Sequence, residues 1–95
     1  MSNVLEEAKT IIYGDREKTY GHPSKNLLAI AAMWETYLSS RGLWNDDSDG
    51  LKPEDVAIMM VLLKAARLGN DPTHRDSLVD ICGYAALVER CSENV

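Results

Sequence analysis

Asp76, Asp80 and Tyr84 recur at steps of four, and Lys64 and Arg67 stand three apart, so both sets share a face if their segments are helical. Two aspartates at that spacing repel by roughly 0.2–0.5 kcal/mol on an exposed helix, and more where water is excluded. Something positive belongs between them: Lys64 and Arg67, a divalent metal, or both around a bound phosphate. The two cations need anions in turn, because an unpaired buried charge costs several kcal/mol. A structural role competes with this. Asp76 can close a capping box opened by Thr73, Asp80 can pair with Lys64 or Arg67, and Tyr84 can be a packed aromatic with its hydroxyl satisfied. Spacing leaves both open.

The segment Gly14 to Pro23 is a second candidate. Its turn residues bracket Arg16, Lys18, Tyr20 and His22, an arrangement able to present backbone N–H groups and cations to an anion. It lacks the glycine and lysine spacing of a phosphate-binding loop, and a solvated charged turn is the bland alternative. Glu35 follows Trp34 and could face the same site. Glu54 and Asp55 read as first-turn acids that suit a helix dipole, and Met59 and Met60 as core filler. The acidic loop Asp46-Asp47-Ser48-Asp49-Gly50 lacks the spacing and closing glutamate of a calcium loop. Cys82 and Cys91, nine apart, match neither a zinc motif nor a disulfide framework.

The elements that must position these residues are helices. Apolar periodicity predicts one from about Val4 to Tyr13, ended by Gly14, and a second from about Lys25 to Ser40, capped by Ser24 and stopped by Gly42. A third begins at Pro53 and ends near Leu68. The fourth runs from about His74 to Cys91 behind Thr73. Val56 to Leu63 is apolar without a break, which predicts a central helix covered by its neighbours. Strand signals are weak, so the expected fold is an all-α, four-helix bundle occupying residues 1–95 as a single domain.

Composition narrows the function classes. At 95 residues one compact core is feasible but marginal. A net charge of −5 argues against a non-specific nucleic-acid binder, which needs a basic surface. No apolar run approaches the roughly 20 residues of a membrane span. No signal-peptide layout opens the chain, so a cytoplasmic location is expected, the bacterial host's if the gene belongs to a phage. The sequence has no phenylalanine, and a small bundle around an all-apolar helix gains by burying Trp34 and Tyr37 against a symmetry mate. A homo-oligomer is therefore expected.

Several pieces together resemble a known family: Asp15-Arg16-x-x-x-Tyr20-Gly21-His22-Pro23, Pro53-Glu54-Asp55-Val56-Ala57, Lys64-Ala65-Ala66-Arg67-Leu68, and His74-Arg75-Asp76-Ser77-Leu78-Val79-Asp80-Ile81-x-Gly83-Tyr84-Ala85-Ala86-Leu87. They are similar to a small phage and prophage family whose members are often labelled MazG-like, over about residues 14 to 90. Parts also look like the phage domain associated with nucleotide modification. The resemblance implies an all-α nucleoside triphosphate pyrophosphohydrolase fold, usually oligomeric. In it, Glu-x-x-Glu and Glu-x-x-Asp on successive helices hold Mg²⁺, which neutralises the triphosphate and helps water attack it.

This chain departs from that pattern. Lys64 and Arg67 stand where the first carboxylate pair is expected, and Asp76 and Asp80 are four apart. The resemblance then implies two versions of one site. In the catalytic version Asp76 and Asp80 bind Mg²⁺ (or Mn²⁺), Lys64 and Arg67 hold phosphates, Arg16, Tyr20 and His22 close over the nucleotide from the loop, Tyr84 joins the nucleotide-binding set, and Glu35 orients water. In the binding version the same residues grip a nucleotide without cleaving it, as a protein that hides a host signalling nucleotide would. A third possibility is a helical interaction protein whose ion pairs are only structural.

Overall fold

The computed structural model describes residues 3–44 and 49–93, all of them helix or connection, with no strand among them. Helix α1 spans Val4–Tyr13, and the Asn3 side chain caps it by accepting the Glu6 N–H at 2.9 Å. A short helix, α2, follows at Asp15–Tyr20 and ends at Gly21, whose φ of 76° suits glycine. Then come α3 (Pro23–Ser40), α4 (Pro53–Asn70) and α5 (Arg75–Arg90). The expected all-α architecture of four long helices is what the chain adopts. What sequence periodicity read as a turn-rich connection contains α2.

Both histidines are helix caps. His22 Nδ1 accepts the Ser24 N–H at 3.2 Å in front of Pro23, so the cap lies two residues before the predicted Ser24. His74 Nδ1 accepts the Ser77 N–H at 3.3 Å and lies 2.8 Å from its hydroxyl. That displaces Thr73 as the cap of α5 and leaves Asp76 outside any capping box. At α4 the Asp55 carboxylate accepts the Lys52 N–H at 2.9 Å, fastening the first turn as the acids there led one to expect.

The helices pack side by side in the order α1, α5, α4, α3, with α2 linking α1 to α3. Ile12, Leu27, Ala31, Val56, Ala57 and Leu87 form the buried core. Where α1 crosses α5, Gly83 lets the backbones approach: a Cβ there would lie 3.3 Å from Ile12 Cγ2. The molecule measures 48 × 36 × 19 Å. The radius of gyration is 14.6 Å, against about 12 Å for a compact chain of this length.

That flatness corrects the expectation of a covered central helix. One face of α4 packs on the core through Val56 and Ala57, but Ile58, Met59, Leu62 and Leu63 are 47%, 40%, 64% and 48% exposed. Met59 is surface and Met60 partly buried. Four helices in a row have too few neighbours to surround any one of them.

Arg90 secures the far end of α5. Its side chain is 7% exposed, its Nη2 donates to Glu17 Oε1 at 3.2 Å, and its guanidinium lies 4.5 Å from the centre of the Tyr13 ring. Glu93 stands 3.5 Å from Nε and 3.8 Å from His22 Nε2. Nη1 and Nε of Arg90, like His22 Nε2, are buried without a hydrogen-bond partner.

The neighbouring Cys91 thiol is raised above its ordinary pKa by burial first and by Glu54 second, against the opposing pull of Arg90. The folded state therefore favours the protonated thiol. That contribution is whole below the unfolded thiol's pKa of about 8.5 and is lost as pH rises through the higher folded value. Alkylation of Cys91 at pH 8 is expected to run slower than that of a cysteine in an unstructured peptide, with the gap closing in urea. Equal rates by mass spectrometry would show the thiol unshielded.

Candidate functional site

The face shared by α2, α3, α4 and α5 holds a cavity of about 170 Å³ lined by aromatic and aliphatic side chains, one cation and one amide. Each wall follows from helical spacing. Asn26, Ile30 and Trp34 sit four apart on α3, Val56 and Met60 four apart on α4, Tyr84 comes from α5, and Arg16 and Tyr20 come four apart from α2. Arg16 is the centrepiece. Its guanidinium carbon lies 5.0 Å from the Tyr20 ring centre and 5.6 Å from that of Tyr84, and its Nη2 donates to Asn26 Oδ1 at 3.0 Å. That bond fixes the amide orientation and leaves the Asn26 NH₂ group to donate elsewhere. A smaller void of about 50 Å³ lies on the other side of Arg16 and Tyr84, with Asp80 and Val79 in its wall.

One turn beyond Tyr84, Asp80 Oδ2 meets Lys64 Nζ at 3.0 Å, with the lysine side chain 16% and the aspartate 35% exposed. This is the pairing that the structural reading of the sequence anticipated. Arg67 and Asp76 are both exposed, and neither side chain makes an ion pair or hydrogen bond to another described residue.

The nine residues singled out by sequence are thus divided. Arg16, Tyr20 and Tyr84 meet at the cavity, and Lys64 and Asp80 form an ion pair beside it. Asp76 and Arg67 lie outside, on the surface. His22 caps α3 instead of closing over a ligand. Glu35 is turned toward the α3–α4 connection, where its Oε1 accepts the Leu51 N–H. There Gly50, with φ 88°, leaves no room for a Cβ against the Glu35 carboxylate. Part of the acidic loop, residues 45–48, lies outside the described residues. Sequence reasoning missed Asn26; Trp34 is half-buried in the cavity wall, whereas Tyr37 is 62% exposed. The signal for Asn26 was its place four residues before Ile30 and eight before Trp34.

The residues present do not fit a Mg²⁺ cage. Hard divalent cations need several oxygen ligands, usually including carboxylates. Here Asp80 is held by an ammonium, Asp76 is exposed, and no group of three His, Cys, Asp or Glu able to hold a metal occurs among the described residues. No described helix is long and apolar enough to cross a membrane.

Two phage proteins are similar to this chain. The Gene 55 protein of Mycobacterium phage D29 is 41% identical over 91 residues, covering 96% of this chain and 54% of its own length. The Gene 55 protein of Mycobacterium phage L5 is 41% identical over 88 residues, covering 93% and 51%. The chain thus spans about half the length of these relatives. No solved structure matches it. The family described as Domain of unknown function (DUF6378) matches residues 3–92, and the chain belongs to that family, one with phage-encoded relatives.

Proposed function

We propose that the chain binds a nucleotide, with the base in the aromatic cavity and a phosphate at Lys64. The observation that carries this reading is the Arg16-centred cavity. At about 170 Å³ it is comparable to the roughly 150 Å³ void that holds a benzene ring, so it admits one aromatic ring. Tyr20, Trp34 and Tyr84 offer stacking faces, and base-on-aromatic stacking contributes about 1–3 kcal/mol per base. The free NH₂ of Asn26 donates to an acceptor on the ring edge. Lys64, one turn from Met60 on the same face of α4, exchanges Asp80 for the phosphate.

The likeness to MazG-type pyrophosphohydrolases supports the ligand class more than the reaction. Lys64 and Arg67 in place of two carboxylates, and the absence of a carboxylate cage among the described residues, favour a protein that holds its nucleotide intact. A phage protein of that kind would withdraw a host signalling nucleotide. The Lys64–Asp80 pair favours a second reading, in which this part of the polar row is structural.

Equilibrium dialysis against ribo-, deoxyribo- and cyclic nucleotides, with and without Mg²⁺ or Mn²⁺, tests the proposal. One of them is expected to be retained and recovered unchanged after denaturing the protein, and Tyr84→Ala to weaken retention roughly 5- to 150-fold. Release of pyrophosphate would make the chain an enzyme. No retention of any nucleotide at millimolar concentration would leave the ion pair structural and refute the reading.

A further inference from the structure

We propose that the cavity selects a single oxo ring, uracil or thymine, and that Asn26 and Arg16 reject the amino ring of cytosine, a choice that rests on the nucleotide reading above. The polarity of the walls is one-sided. Arg16 brings a guanidinium and Trp34 an indole N–H, and both groups donate without accepting. Asn26 could do either, but its Oδ1 already accepts from Arg16 Nη2 at 3.0 Å. Its NH₂ group has no hydrogen-bond partner among the described residues, and neither have Nε and Nη1 of Arg16. No carboxylate stands among the residues that line this cavity. Glu35, next to Trp34, bonds to Leu51 instead, and Asp80 borders the void on the other side of Arg16. Arg16 has no ion-pair partner among the described residues, so its charge meets only two tyrosine rings and an amide.

Walls that offer donors and no free fixed acceptor match a ring edge made of acceptors. Uracil and thymine carry carbonyl oxygens on either side of the ring N–H. Cytosine replaces one of them by an amino group, which sets donor against donor and leaves both unpaired where water is restricted. The hydroxyls of Tyr20 and Tyr84 rotate to serve either ring and do not discriminate. Guanine also carries a carbonyl, and size decides against it. A cavity of about 170 Å³ takes one aromatic ring, so a purine leaves its second ring outside the stacking faces.

Calorimetric titration of the full chain with uridine monophosphate and cytidine monophosphate, which differ along one ring edge only, tests this. Uridine monophosphate is expected to bind about tenfold more tightly, the discrimination that one well-paired base edge gives, and more tightly than guanosine monophosphate. Asn26→Asp keeps a partner for Arg16 but exchanges the NH₂ donor for an acceptor oxygen. It is expected to cut the preference for uridine about fivefold, whereas a merely structural loss would weaken both ligands alike. Should that variant not fold, Asn26→Leu, of similar size and without a donor, is expected to lower the same ratio. Equal affinities, a preference for cytidine, or tighter binding of guanosine monophosphate overturns the oxo-ring assignment and leaves a nucleotide site standing. The same holds if none of the three binds while another nucleotide is retained in dialysis. An undiminished preference in the folded Asn26 variant overturns the role of Asn26. If no nucleotide is retained at all, the nucleotide reading falls and this assignment falls with it.

Discussion

Leu27→Ala is expected to destabilise the fold by about 3–4 kcal/mol, while Leu28→Ala, one position along, stays within about 0.5 kcal/mol. Leu27 is 1% exposed, sits in the core cluster and lines the cavity; Leu28 is 54% exposed. Truncating Leu27 loses the transfer energy of the buried carbons and leaves a void that merges with the space already beside Arg16. The penalty then grows with the volume that the surroundings fail to close. In a domain of this size it lowers Tm by roughly 12–30 °C. The same truncation widens the candidate base site, so any nucleotide is held less firmly. Thermal melts of the two variants side by side decide the matter: similar losses would mean that α3 does not bury the face assigned to it.

Arg90→Ala is expected to cost about 2–4 kcal/mol and Arg90→Met much less. The reason lies in how the arginine is paired. Glu17, its partner at 3.2 Å, is 40% exposed, so on losing Arg90 it rehydrates instead of remaining a stranded charge. The full 3–5 kcal/mol of a broken buried pair is therefore not reached. Alanine also empties the space over the Tyr13 ring, whereas methionine refills it. Methionine further removes two buried donors, Nε and Nη1, that have no hydrogen-bond partner. Equal destabilisation by the two substitutions in chemical melts would place the value of Arg90 in its charge and not in its packing.

The helix boundaries were legible because punctuation and periodicity agree along this chain. Gly14 ends α1 and Pro53 opens α4 where expected. The caps were not legible, since a histidine side chain at Ncap competes with the usual serine and threonine, and the choice depends on the turn of the preceding backbone. Helix α2 was missed because six polar residues between two glycines carry no apolar stripe; it is held by Arg16 stacking on Tyr20 and Tyr84, contacts invisible before folding. The site was half legible. Steps of four put Asp80 and Tyr84 on one face of α5, beside the candidate cavity, yet the reading centred on charge, and the cavity is centred on aromatic rings. Whether α4 is covered depends on how many neighbours four helices can give it, which periodicity does not report.

The side-by-side order of the helices also sets a timetable for synthesis. Of these five helices α1 leaves the ribosome before the others, but its packing surface, Ala8 and Ile12, rests on α5, made after the other four. At roughly 5–20 residues per second, α1 waits several seconds while residues 14–74 are added. The first two long neighbouring helices to be complete are α3 and α4, adjacent in the chain and joined by the Glu35 clasp on Leu51. Only when α5 arrives, with Gly83 flat against Ile12, does the nascent chain acquire the shelf on which α1 can dock.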